Sequence, residues 1–414
     1  MTQRMPMYIG DQAIDAFLTF CEAQQHERFF LISDENTQQV LGGEVHRAIQ
    51  GKGWDVLQTV LNPQGLHTEE TSLAHAMAAY DGQPRTFVSV GSGTLTDITR
   101  FTSHRSRNPF IAFPTAASVD AYTPTHASVA INKVKVSIFC QAPIAIFTHL
   151  PTVCASPRVL TASGFGDLLS KFTASADWKL THLIWEAEFD PQINMRAYQV
   201  AERVVQVIDG ISHADPESMA AMMQCQFDSG FCMGDFKNTS PASGGEHHIA
   251  HIWEMITHMQ GREGIYHGQM VGVAMVSEAE WYDRLRKTSR QEAEQILSSV
   301  QIPDRLAQES ALREALPASA EGMIRSNPIL MQLSDPKRFA EVKTRILERW
   351  DEIQDTARMV PPPDQVRAWM AQVGTPTTPG DIGLSEDEAE AAINNGHYLR
   401  ERFSANLLRT IFGW

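Results

Sequence analysis

The chain has 414 residues, enough for two domains that each bury a core, and its 43% hydrophobic and 20% charged residues are typical of a folded globular protein. A formal net charge of −15 repels nucleic acid and anionic membrane surfaces, which argues against both as partners. An anionic small substrate stays possible, given local donors or a cation to offset that field. No apolar run reaches the roughly 20 residues needed to span a bilayer, and the amino terminus lacks the apolar core and cleavage site of a signal peptide. Cys21, Cys140, Cys154, Cys225 and Cys232 are odd in number, widely spread and without a CxxC pair. They read as reduced core thiols, so the expected compartment is the cytoplasm.

The first 150 or so residues alternate short β-rich runs with helical stretches. Phe29–Ile32 reads as a buried strand ending at Ser33-Asp34, Thr86–Val90 as a second ending at Gly91-Ser92-Gly93, and Phe110–Phe113 as a third stopped by Pro114. This alternation predicts a parallel, doubly wound sheet with ligands at the carboxyl ends of its strands. Ser128–Ile131 and Lys135–Phe139 read as a hairpin, and Ala145–Phe147 as a return to the sheet. After Pro151 the texture becomes helical, with helical spacing over Asp167–Glu186, Met195–Ile211, Glu246–Met259 and His267–Leu285. The acidic stretch Ser385–Glu390 reads as a solvated helix start. The expected architecture is an α/β Rossmann-like domain, residues 1–155, followed by an all-α domain, residues 156–414.

Several residue groups could carry chemistry. Gly91-Ser92-Gly93-Thr94 joins a strand to a helix start at Leu95–Phe101, where glycines let backbone N–H groups approach a pyrophosphate. Alone, the same pattern describes a tight turn, and Asp97 is equally a helix-start acid or a ligand contact. Asp34 follows the Phe29–Ile32 strand and suits either a ribose contact or a turn. Thr115, Ser118 and Asp120 follow the third strand, on a loop that suits a cofactor approach and a polyol hydroxyl, or a capped turn. Gly164-Phe165-Gly166-Asp167 is expected to open a helix with Asp167 on its first turn. His247 and His251 stand four apart on another helix and share a face, while His248 points about 100° away. His267-Gly268 heads a third helix. Two imidazoles and a carboxylate, at Asp167, His247 and His267, suit zinc or another divalent metal with a position left open for substrate oxygen.

Together the segments resemble the bacterial-type glycerol-1-phosphate dehydrogenases, in the iron-containing alcohol dehydrogenase and dehydroquinate synthase-like superfamily. The likeness runs in order through Val90–Ile98, Pro114–Asp120, Ala162–Lys171, Ala176–Leu180, Pro241–His247, His267-Gly268 and Leu399–Phe403. It implies a dehydroquinate synthase-like two-domain fold with its cleft between the domains. It also implies a metal- and NAD- or NADP-dependent oxidoreductase interconverting sn-glycerol 1-phosphate and dihydroxyacetone phosphate. Asp167, His247 and His267 would ligate one divalent zinc, nickel or iron ion. Gly91, Ser92, Gly93 and Asp97 would line the cofactor phosphates and nicotinamide, with Thr115 and Ser118 beside them and Asp34 at the adenosine. Asp120 and Asp167 would meet the substrate, and His251 would line the pocket, either relaying a proton or packing. Lys135 matches a basic family position and is a candidate phosphate contact or a solvated lysine. The expected partners are a small phosphorylated polyol or ketone and further copies of the chain, as a homodimer or larger.

The chain departs from the family around the substrate phosphate. Ala121 and Pro124 replace a usual Gly and Ser, Lys133 replaces a Gly, and the acid expected after Ala145–Phe147 is missing, with His149 nearby. A related polyol or secondary-alcohol dehydrogenase, or a dehydroquinate synthase-like lyase, is therefore an alternative.

Overall fold

The computed structural model describes residues 5–131, 134–262, 265–326 and 332–414; Lys133 lies outside the described residues. The chain packs as two compact units, Met1–Phe165 with Gln206–Gly234, and Gly166–Val205 with Asp235–Trp414.

In the first unit, six strands form one sheet: β1 (Met7–Gly10), β2 (Arg28–Asp34), β3 (Asp55–Leu61), β4 (Thr86–Val90), β5 (Phe110–Phe113) and β8 (Ala145–His149). Their order is β1-β8-β5-β4-β2-β3 and every pairing is parallel. The central strands β4 and β5 are buried at every residue, as strands covered on both faces are; β5 is accordingly an unbroken apolar run, and β4 is apolar apart from the buried hydroxyl residues Thr86 and Ser89. Phe17, Phe29, Phe113 and Phe147 pack edge-on or tilted on one face of the sheet. From β2 the chain passes to β3 on one side and then to β4 on the other. The order therefore reverses between β2 and β4, and the crevice outside their carboxyl ends is where such sheets bind ligands. The predicted hairpin is present as β6 (His126–Ile131) antiparallel to β7 (Val134–Phe139).

The second unit is helical, and its apolar core gathers Ile249, Ile252, Trp253, Met270, Val271 and Ala274 with Leu312, Leu316 and Ala392. Helices Gly245–Met259 and His267–Lys287 match expectation closely. Three readings need correction. Asp167 lies in the last turn of a helix that spans Arg158–Leu169, not in the first turn of one opening at Gly164. A Cβ on Gly166 would stand 2.4 Å from the Gly268 carbonyl oxygen, so this glycine answers a close approach rather than a turn. The Asp167–Glu186 stretch breaks at Ser170, whose Oγ bonds the Asp167 carbonyl at 2.7 Å, and resumes as Lys171–Trp185. Met195–Ile211 likewise divides at Val207 into Pro191–Gln206 and Ile208–Ser212. Ser385 caps the acidic helix Glu386–Asn395, as expected. None of the five cysteines is in a disulfide, and no helix among the described residues is long and apolar enough to cross a membrane.

Candidate functional site

In the helical unit, the start of Gly245–Met259 is built from acids. Gly244 is extended, and the Glu246 side chain folds back so that Oε1 accepts the Gly244 N–H at 2.7 Å. Asp177, from helix Lys171–Trp185, accepts the Gly245 N–H at 2.7 Å on Oδ2. These bonds satisfy donors that a helix start leaves open, where the helix dipole also favours negative charge. The same Glu246 Oε1 lies 2.8 Å from His247 Nδ1. With Nδ1 engaged, His247 turns Nε2 toward Asp167, 3.6 Å from Oδ1.

His267 is the first residue of its helix, behind the cap residue Tyr266, and its Nδ1 sits 2.7 Å from Glu254 Oε1. His251, one turn beyond His247, has Nδ1 2.8 Å from Glu254 Oε2. The three imidazoles form a triangle, with ring centroids 6.1 Å (His247–His251), 5.3 Å (His247–His267) and 5.3 Å (His251–His267) apart. Asp167, His247 and His267 each offer one ligand atom within 4.8 Å of the others. The sequence thus named three residues that the fold brings together. Two imidazoles held through Nδ1 by carboxylates, plus one carboxylate, fit a borderline divalent cation with coordination positions to spare.

Asp167 is fully buried and paired with Lys171, itself fully buried, at 2.9 Å; Lys171 also donates to the Ala242 carbonyl at 3.1 Å. Burial alone would raise the Asp167 carboxyl, but the Lys171 ammonium and the nearby His247 hold it well below the usual carboxylate range. Burial also opposes charge on His247, yet the Asp167 and Glu246 carboxylates win and raise its pKa. Beneath this layer, burial and the charge of Glu246 push Asp177 up to about 7, although it also accepts the Tyr282 hydroxyl at 2.6 Å and the Ala405 N–H at 2.8 Å. Burial and the Asp177 charge raise buried Glu278 well above the carboxylate range. His248 is fully buried, its pKa lowered by burial and by Arg402 and Arg400.

In the sheet unit, Asp34, Gly91, Ser92, Thr115, Ser118 and Asp120 end or follow strands at their carboxyl ends, while Asp97 lies in a helix and Lys135 on the hairpin. Gly91 continues the ladder past β4, its N–H bonding the Phe113 carbonyl at 3.0 Å, and Ser92 leads into helix Gly93–Arg105. A Cβ on Gly91 would meet Leu95 Cδ1 at 2.2 Å and Leu95 Cβ at 2.8 Å, so only glycine lets the helix turn in this closely. Thr115 and Ser118 are buried on the adjoining loop. Asp34 ends β2 and caps the next turn, accepting the Thr37 N–H at 2.7 Å. Asp97 forms a buried ion pair with Arg100 and accepts the Ser128 N–H at 3.0 Å. Asp120 is nearly buried and accepts the Ser229 hydroxyl at 2.6 Å. Lys135 lies on β7 opposite Ala130, half-buried. His149 caps a short helix and contacts Thr152 at 2.8 Å.

The iron-containing alcohol dehydrogenase family model matches residues 8–157. The chain is 32% identical over 285 residues to the glycerol-1-phosphate dehydrogenase (NAD(P)+) of Halalkalibacterium halodurans, covering 68% of this chain and 71% of that protein. It belongs to the glycerol-1-phosphate dehydrogenase family. The Geobacillus stearothermophilus member is 27% identical over 399 residues, 95% of this chain and 89% of the relative. Among solved structures, sulfoacetaldehyde reductase from Bifidobacterium kashiwanohense, in complex with NAD+, shares the fold at a TM-score of 0.62 with 16% identity, covering 100% and 97% of the two chains. A probable glycerol dehydrogenase from Sinorhizobium meliloti 1021 does so at 0.60 with 15% identity, covering 95% and 88%.

Lys171, Glu246 and Glu254 touch the three candidate ligand residues, yet nothing in the sequence assigned them a role. Their signals were present: Lys171 stands four after Asp167, Glu254 three after His251, and Glu246 next to His247.

Proposed function

We propose that this member of the family is a metal-dependent oxidoreductase that interconverts sn-glycerol 1-phosphate and dihydroxyacetone phosphate with NAD(P)(H). One observation carries the reading: Asp167, His247 and His267, spread over a hundred positions of sequence, bring their donor atoms within 4.8 Å of one another. A divalent ion bound there supplies Lewis acidity toward the substrate oxygen, and a bound nicotinamide gives or takes the hydride. Lys171 keeps Asp167 ionised and aimed, while Glu246 and Glu254 orient the imidazoles. Ser92 and Gly93 would offer backbone N–H groups and a helix start to the cofactor pyrophosphate, Gly91 would let the turn close against them, and Asp97, Thr115 and Ser118 would lie beside it. Asp34 would accept from the adenosine ribose. Asp120, fixed by Ser229, would bind a substrate hydroxyl, and Lys135 the phosphate. His251 is the candidate to pass the hydroxyl proton outward. The five cysteines, none in a disulfide, suit a reducing cytoplasm, and a homodimer or larger assembly completes the proposal.

A second reading, a polyol or other secondary-alcohol dehydrogenase, draws on Ala121 and Pro124. Thr123 bonds the Phe227 carbonyl at 2.9 Å, and a Cβ on Gly230 would meet Pro124 Cδ at 2.9 Å, so this stretch is packed rather than open to a phosphate. The test is anaerobic NADH oxidation by chelated and metal-restored protein. Chelation abolishes turnover, and Zn²⁺, Ni²⁺ or Fe²⁺ restores it with dihydroxyacetone phosphate in preference to unphosphorylated ketones. Full turnover without metal contradicts the metal reading, and the reverse ketone preference favours the second.

A further inference from the structure

We propose that Glu254 is a positioning residue that clamps two imidazoles with one carboxylate, holding the metal-ligand residue His267 and the pocket residue His251 as a single unit. The proposal rests on the metal reading above and deepens it. Glu254 stands three residues after His251 on helix Gly245–Met259, while His267 begins helix His267–Lys287, so one carboxylate ties the two helices at the centre. Oε1 lies 2.7 Å from His267 Nδ1 and Oε2 lies 2.8 Å from His251 Nδ1. The two rings stack at 5.3 Å with only 19° between their planes, side by side on the same carboxylate.

The same three residues are close enough to suggest a second cation site, since their donor atoms also lie within 4.8 Å of one another. The distances decide against that. Donors sharing one tetrahedral zinc at ~2.0–2.1 Å stand about 3.3 Å apart, whereas 2.7 and 2.8 Å are lengths of charge-assisted N–H···O bonds. A carboxylate between two imidazoles makes each Nδ1 the protonated nitrogen and leaves each Nε2 with its lone pair. For His267 that lone pair is the one a metal needs. The Glu254 side chain is only 17% exposed, so water competes little for its oxygens. Glu246 serves His247 in the same way but holds one ring only. The asymmetry has a consequence: a change at His251 or at His267 is transmitted to the other ring through a shared acceptor.

The test uses full-length Glu254→Gln and Glu254→Asp with Asp167→Asn as control. The readouts are zinc affinity by chelator competition and ¹⁵N histidine shifts of the metal-free protein. In the wild type both His251 and His267 are expected as Nδ1–H tautomers. Glu254→Gln weakens zinc about 10–100-fold and mixes the tautomers of both rings, with the thermal midpoint of the metal-free protein unchanged. Glu254→Asp, one methylene shorter, reaches one ring and gives a smaller loss. Wild-type zinc affinity with unchanged tautomers in either folded variant overturns the clamp. If Asp167→Asn also binds zinc normally, the metal reading itself has failed; if Asp167→Asn alone loses zinc, only the clamp has.

Discussion

Asp167→Asn is expected to lose zinc and turnover together. An even share of the roughly 10–16 kcal/mol with which proteins hold structural zinc is about 3–4 kcal/mol per ligand, so affinity should fall on the order of 10²–10³-fold. The amide oxygen can still accept the Lys171 ammonium, which keeps the packing around Asp167, and the sheet unit should melt as before. Chelator competition and NADH oxidation on the same preparation check this. A variant that retained both metal and activity would show that another carboxylate does the work.

Lys171→Met should produce the second large effect, and in the metal-free protein above all. Asp167 and Lys171 are both fully buried, so removing the ammonium takes from the carboxylate its closest buried cation. Breaking a buried pair in this way costs about 3–5 kcal/mol. A divalent ion on Asp167 replaces the missing charge, so saturating zinc should restore most of that loss. Urea unfolding of wild type and variant, each with chelator and with zinc, measures the difference. An equal loss under both conditions would mean that Lys171 serves packing alone.

How far the sequence reveals this depends on burial. β4 and β5 are legible because strands covered on both faces are rich in apolar and β-branched residues, bounded here by Gly91 and Pro114. β1 and β3, at the sheet edges, are only half-buried, and Asp55–Leu61 mixes polar with apolar residues, so neither stood out. Gly166 misled, because a glycine chosen for close packing looks the same in sequence as one chosen for a turn. The return of Gln206–Gly234 to the sheet unit leaves no mark in composition, being one more amphipathic helical stretch. At the candidate metal site, residue type and spacing left Asp167, His247 and His267 open between ligands and ordinary helix-start residues, and the family resemblance singled them out. Lys171, Glu246 and Glu254 were not legible, since charged residues at helical spacing usually mark a solvated face. Only the fold shows Lys171 and Glu246 fully buried and Glu254 turned inward onto two rings.

The most direct measurement is X-ray absorption at the zinc edge of the zinc-loaded protein, wild type against His247→Ala and His267→Ala. The account predicts a first shell of nitrogen and oxygen at ~2.0–2.1 Å without sulfur. It also predicts scattering from two imidazoles in the wild type and from one in each variant. A sulfur shell, or an imidazole count unchanged by either substitution, would contradict it.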